Sequence, residues 1–72
     1  MLTIKQKILL EAIEWFINEH GYSPTIKELS KLTKNKSVST VFTKLMELER
    51  KGYISTENGK ARTIKVLRGV EK

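Results

Sequence analysis

Apolar residues recur at helical spacing between Ser37 and Lys51. The four that define the pattern, at intervals of three, four and three residues, are Val38, Val41, Leu45 and Leu48. This spacing places them in one stripe on the face of an α-helix. Ser37 is a suitable N-cap, and Gly52 is a suitable residue to end the helix. The pattern predicts a helix that is docked by one face and offers its N-terminal half to a partner.

Two further helices are predicted before this segment. Thr3 with Gln6, and Thr25 with Glu28, have the spacing of a capping box, which marks a helix start. The first helix should end near residue 20 and be closed by Gly21, and the second should end near residue 32 or 33. The residues predicted to face the core are Leu9, Ile13, Phe16 and Ile17 in the first helix, and Ile26, Leu29 and Leu32 in the second.

After Gly52 the apolar period changes from that of a helix to that of a strand. Residues 53–56 and 63–67 are rich in β-branched and aromatic side chains, and Asn58-Gly59 between them is a strong hairpin signal. Ile54, Ile64 and Val66 should face inward. The predicted fold is α+β: a winged helix-turn-helix, with three helices followed by a two-stranded β-hairpin wing. It forms a single domain over residues 1–72, of which 68–72 are a short charged tail.

Charge adds a functional indication. The formal net charge is +6, and the positive excess lies in segments 25–44 and 60–72, on either side of the predicted third helix. A basic cluster of this kind is typical of a nucleic-acid-binding protein. A solvated surface of a lysine-rich protein is the alternative interpretation of the same charges.

The sequence gives no indication of a membrane or secreted protein. It contains no cysteine, which fits a reducing cytoplasm. The longest apolar-rich stretch, residues 8–17, is too short to span a bilayer. Residues 1–3 lack the layout of a signal peptide. We therefore expect a cytoplasmic protein without a membrane partner.

The predicted third helix is suited to the DNA major groove, which admits a helix and presents a distinct pattern for each base pair. Its opening turns carry the hydroxyl side chains expected to read bases: Ser37, Ser39, Thr40 and Thr43. Phe42 borders the apolar stripe, so it either packs at the edge of the core or contacts DNA. The residues expected to contact the backbone or minor groove are Thr25, Lys27, Lys34, Lys36, Lys44, Lys60 and Arg62.

Ile8, Ala12 and Trp15 form a second apolar row on the first helix. This row either packs beneath the C-terminal segment of the same domain or serves as a dimer or partner surface. Catalysis is not expected, because the sequence lacks cysteine and its one histidine, His20, falls at a predicted helix end. Neither a metal site nor a cofactor or small-molecule substrate is predicted, since no metal-ligand spacing or phosphate-binding glycine loop occurs.

Several segments, in order, resemble the N-terminal DNA-binding domain of the LexA repressor family. The resembling residues are Leu2-Thr3 with Gln6; Gly21-Tyr22-Ser23-Pro24-Thr25 followed by Glu28-Leu29; Ser39-Thr40-Val41 with Leu45 and Leu48-Glu49; Lys51-Gly52-Tyr53-Ile54; and Arg62 with the run 64–67. The resemblance covers about residues 2–67. It implies that Ser37, Ser39, Thr40, Phe42 and Thr43 occupy the base-reading positions of the family.

The same resemblance implies a limit. LexA repressors continue into a linker and a self-cleaving peptidase domain that also dimerises them, whereas this sequence ends at Lys72. Self-cleavage is therefore not expected of it. The leading hypothesis is a sequence-specific regulator of transcription, a repressor of a prokaryote or its mobile elements, that binds double-stranded DNA as a homodimer. The alternatives are a protein-interaction module on the same fold and a nonspecific nucleic-acid binder.

Overall fold

Capping side chains determine where the first two helices begin. In a computed structural model that describes residues 2–34, 37–57 and 62–69, α1 spans Ile4–His20 and α2 spans Ile26–Leu32. Thr3 Oγ1 accepts from the Gln6 N–H at 3.1 Å, and Gln6 Oε1 accepts from the Thr3 N–H at 3.1 Å. Thr25 and Glu28 repeat this reciprocal pair at the start of α2, at 3.1 and 2.9 Å. Both predicted capping boxes are confirmed.

The remaining elements also follow the predicted order. α3 spans Val38–Arg50, and the strands are β1, Ile54–Ser55, and β2, Lys65–Val66. The strands pair antiparallel, with Ile54 opposite Val66 and Ser55 opposite Lys65. The prediction of three helices followed by a two-stranded antiparallel sheet is therefore confirmed.

Glycines end two of the helices in the manner expected. Gly21 has a φ of 78° and donates its N–H to Ile17 O at 2.8 Å, which closes α1. Gly52, with a φ of 85°, follows α3 and turns the chain toward β1. Both conformations are left-handed, where a side chain with a Cβ is strained.

The hydrophobic core lies beneath α3. Val41, Leu45 and Leu48 are buried, and they share one cluster with side chains of α1, α2 and β1 and of the segment that precedes β2. The other buried members of that cluster are Leu9, Leu10, Ile13, Leu29, Tyr53, Ile54 and Ile64. α3 is therefore fixed along its apolar face by the rest of the chain.

Two predicted core positions are wrong. Val38 is 44% exposed and Leu32 is 41% exposed. Both lie beside the α2–α3 turn, at the margin of the core, and Val38 is rotated by about 60° around α3 from Val41. Conversely, Gln6 and Leu10 of α1 are buried although the predicted stripe omitted them. α1 packs against both α2 and α3, so its buried arc is wider than a single stripe.

The buried Gln6 side chain forms a polar link between the start of α1 and the end of α3. Its Oε1 accepts from Lys51 Nζ at 2.7 Å, and its Nε2 donates to Glu47 Oε1 at 3.2 Å. A buried amide costs free energy unless its polar atoms are paired. These hydrogen bonds pair the amide, so Gln6 both caps α1 and connects α1 to α3.

The strands are shorter than predicted. Beyond the pair formed by Ser55 and Lys65, the Glu57 N–H donates to Thr63 Oγ1 at 3.0 Å rather than to a backbone carbonyl. The side chain replaces the next step of the ladder. Ile54 and Ile64 face the core as predicted, while Val66 is only partly buried. The predicted turn at Asn58-Gly59 lies outside the described residues.

Because Leu48 is fully buried beneath α3, the change Leu48→Ala should lower the free energy of unfolding by about 2–5 kcal/mol. Met46→Ala, on the exposed side of the same helix at 39% exposure, is the matched control and should cost less than half as much. Equilibrium urea denaturation measures both. Equal losses for the two variants would contradict the position of the core.

Candidate nucleic-acid interface

The five residues predicted to read bases all lie on the exposed part of α3 and its N-cap. They are Ser37, Ser39, Thr40, Phe42 and Thr43, and each is exposed. We call this set the readout face. Val41, in the middle of the same segment, is fully buried, so the side chains on either side of it point away from the core. The structure thus brings the set together on one accessible surface, while contact with bases stays a prediction.

Phe42 does not belong to the buried core. Its side chain is 52% exposed, whereas the neighbouring Val41 is 0% exposed. The half-exposed ring is compatible with both alternatives left open by the sequence, packing at the edge of the core and contact with DNA. A half-exposed aromatic ring adds apolar surface to an otherwise hydroxyl-rich helix start.

The hydroxyl groups of the readout face differ in what they offer a ligand. Thr43 Oγ1 donates to the Ser39 carbonyl oxygen at 3.0 Å, one helical turn back. That proton is engaged within α3, so the side chain presents its methyl group and an oxygen lone pair. Ser37 is the N-cap residue of α3, as predicted, but its side chain makes no capping hydrogen bond.

Three of the lysines predicted to contact phosphate lie among the described residues. Lys27 lies exposed in the first turn of α2, Lys34 lies exposed in the α2–α3 turn, and Lys44 is half-buried on α3. Lys34 has a φ of 56°, so it takes a left-handed conformation in this turn. Two further predicted contacts, Lys36 and Lys60, lie outside the described residues.

Thr25 has a structural role that limits what its hydroxyl can do. It is half-buried, and its Oγ1 accepts from the Glu28 N–H as part of the capping box. A phosphate contact by Thr25 stays a prediction.

Arg62 is held against α2 and the α1–α2 turn. Its Nη1 lies 2.9 Å from Glu28 Oε1 and donates to Ser23 O at 3.1 Å, and its Nη2 donates to Glu28 Oε2 at 3.2 Å. The guanidinium also lies 4.8 Å from the centre of the Tyr22 ring. We call these contacts the Arg62 clamp.

The clamp gives Arg62 an intramolecular role that the sequence did not reveal. Arg62 and Glu28 are far apart in the chain, so no helix or strand spacing connects their charges. Arg62 itself has a φ of 58°, and the Ile64 N–H donates to Ser23 Oγ at 3.0 Å. The chain entering β2 is thus fixed to the start of α2. DNA contact by Arg62 stays a prediction, and its side chain is 42% exposed.

The surroundings of Glu28 favour its charged form. The backbone N–H of Thr25 donates to the carboxylate and lowers the pKa of Glu28 below its ordinary value of 4.5, and the hydrogen bond and charge of Arg62 lower this pKa further. Glu28 therefore stays ionised while it serves both the capping box and the clamp.

The second apolar row of α1 is only partly covered. Ile8 and Trp15 are each 51% exposed, and Ala12 is packed against the core. Trp15 lies edge-on to His20, with ring centroids 6.3 Å apart. Within the described ranges, no helix combines the length and apolar character needed to cross a membrane.

An exposed helix preceded by a second helix and a short turn, and followed by an antiparallel strand pair, defines a winged helix-turn-helix domain. Comparison with known proteins agrees with this class, since the family model of the LexA DNA binding domain matches residues 1–63. The chain belongs to the LexA DNA-binding domain family.

Relatives from several bacteria show the same similarity. The chain is 44% identical over 66 residues to the LexA repressor of Caldicellulosiruptor saccharolyticus, an alignment that covers 92% of this chain and 33% of the relative. It is 37% identical over 71 residues to LexA repressor 2 of Nocardia farcinica, with 99% and 29% covered. The LexA repressor of Thermotoga neapolitana is 37% identical over 70 residues, with 97% and 35% covered. The chain thus spans about a third of the length of these relatives.

The Arg62 clamp generates a prediction about pH. Glu28→Gln removes the charge but leaves an oxygen that can accept from the Thr25 N–H, so it should lower the free energy of unfolding near neutral pH. A carboxyl whose pKa is lowered by folding stabilises the fold above its unfolded-state pKa, and this contribution is lost as pH falls through the folded-state pKa. The difference between wild type and variant should therefore shrink on acidification.

Urea denaturation at a series of pH values from neutral to strongly acidic measures this difference. Glu11→Gln, at an exposed carboxylate of α1, controls for the loss of one negative charge. A wild-type advantage that stayed constant down to the lowest pH would show that the Glu28 charge is not its source.

Proposed function

We propose that this chain binds double-stranded DNA with sequence specificity and represses transcription. In this proposal α3 enters the major groove, and the wing between β1 and β2 contacts the backbone or minor groove. The observation that carries it is the readout face: five exposed side chains at the start of a helix whose opposite side is buried in the core. The relatives named LexA repressor support the same function.

The positive charge around α3 suits this partner. Lys27 is exposed in the first turn of α2 and Lys34 is exposed in the turn that leads into α3, and the chain carries a net charge of +6. Lysine contacts to phosphate supply affinity and register, while base-edge contacts supply specificity. The Arg62 clamp adds a geometric role, because it holds the base of the wing at a defined position relative to α2.

One domain of this size presents few base contacts, so useful specificity requires two half-sites or a partner protein. We therefore expect a homodimer on DNA. The protein would act in the cytoplasm, where the bacterial chromosome lies. It would act by binding rather than by catalysis: the one histidine of the sequence, His20, is packed against Phe16 and Tyr22, with ring centroids 4.2 and 5.6 Å away.

The half-exposed Ile8 and Trp15 favour a second candidate function. In that alternative the chain is a protein-interaction module that modifies another regulator or a polymerase, and it has weak DNA affinity of its own.

One titration separates these functions. The protein is titrated against duplex selected by it from a random library and against a scrambled duplex, over a range of salt concentrations. Preference for the selected duplex that persists at moderate salt supports the proposal. Equal binding that collapses with salt indicates nonspecific binding through counterion release. Failure to bind either duplex at low salt indicates the interaction module.

The readout face generates a mutational prediction. Thr40→Ala should weaken binding to the selected duplex by about 1–3 kcal/mol, because it removes a hydroxyl and a methyl group that face the bases. Asn18→Ala, on α1, is the control and should leave binding unchanged. Fluorescence anisotropy measures both affinities. If Thr40→Ala leaves the ratio of specific to nonspecific affinity unchanged, the readout face is assigned incorrectly.

A further inference from the structure

The side-chain chemistry of the readout face restricts which bases it can specify. Guanine is specified in the major groove by arginine or lysine, adenine by asparagine or glutamine, and cytosine by a carboxylate. Residues 37–43 contain none of these six residue types. Serine and threonine hydroxyls accept several partners, whereas apolar groups single out the C5 methyl group of thymine.

The exposed apolar surface of α3 is suited to contact with thymine methyl groups. Val38, Phe42 and Met46 are 44%, 52% and 39% exposed, and they follow one another at intervals of four residues. Side chains at this spacing lie on one side of a helix. Phe42 and Met46 lie outside the buried stripe formed by Val41, Leu45 and Leu48, and Val38 lies at its margin.

Thr43 adds a methyl group next to this stripe. Its hydroxyl proton is directed to the Ser39 carbonyl at 3.0 Å, so it is not available to a base acceptor. What an exposed Thr43 presents without breaking that bond is its methyl group and the acceptor lone pairs of its oxygen.

We infer that this protein recognises thymine methyl groups in its half-site through Phe42 and the methyl group of Thr43. This inference rests on the proposed function and names the chemistry of its specificity. Hydroxyls of Ser37, Ser39 and Thr40 accompany the apolar contacts and tolerate more than one base. The half-site should therefore contain thymines at the positions that face Phe42 and Thr43.

Replacement of thymine by uracil tests the inference directly, because uracil lacks only the methyl group. Each thymine of the selected duplex is replaced in turn, and the dissociation constant is measured at fixed salt. At the two positions facing Phe42 and Thr43 the loss should be about fourfold per methyl group. In Phe42→Ala the uracil effect should disappear at the position facing Phe42 and persist at the other. Ile4→Ala, an exposed apolar residue of α1, should leave both effects intact.

Two variants of Thr43 separate its methyl group from its hydroxyl. Thr43→Val keeps a methyl group and should bind within about twofold of wild type, whereas Thr43→Ser keeps the hydroxyl and should lose about fourfold. Circular dichroism checks that each variant is folded.

The outcomes distinguish this inference from the proposed function. A selected duplex that binds equally well with uracil at every thymine, or a Thr43→Ser variant that binds better than Thr43→Val, would overturn the inference and leave sequence-specific binding intact. If selection enriches no sequence, the proposed function and the inference both fail.

Discussion

The fold depends on the burial of Val41, Leu45 and Leu48 along one side of α3. Burying a side chain of this kind stabilises the folded state by about 1.5–3 kcal/mol relative to leaving it exposed. A domain of this size is only marginally stable, so each such contribution matters. The same docking decides how α3 is rotated. Since Val41 points inward, Ser39, Thr40, Phe42 and Thr43 point outward, and the core thereby determines which side chains of α3 are exposed.

Polar contacts fix the two ends of this arrangement. Gln6 connects the start of α1 with Glu47 and Lys51 near the end of α3. The Arg62 clamp connects the strand region with the start of α2. In both cases a residue that caps a helix, Gln6 or Glu28, also makes the long-range contact. Helix starts and tertiary contacts are therefore coupled, and a substitution at either residue removes both a cap and a contact with a distant element.

In the proposed interface, charged and neutral side chains have different roles. Lys27 and Lys34 are exposed on α2 and in the α2–α3 turn, whereas the readout face itself carries hydroxyl, methyl and aromatic groups and no charge. In the proposed function, the charges attract and align any duplex, and the neutral groups of the readout face discriminate among bases. Affinity would then respond to salt, while the preference among sequences would depend on groups that salt does not screen.

The sequence by itself determined the helix starts, the glycine-closed helix ends, the order of elements and the family, because capping, turn chemistry and apolar period are local properties. It predicted that the five residues of the readout face are exposed, but it did not predict the exposure of Val38 and Leu32 or the burial of Leu10. Only the tertiary structure decided those, since burial at the margin of a core depends on which other elements cover a side chain. The tertiary structure also decided which group pairs with Arg62. This basic residue was expected to contact DNA from the wing, and its guanidinium forms an ion pair with Glu28. No local pattern encodes a contact between residues so far apart in the chain.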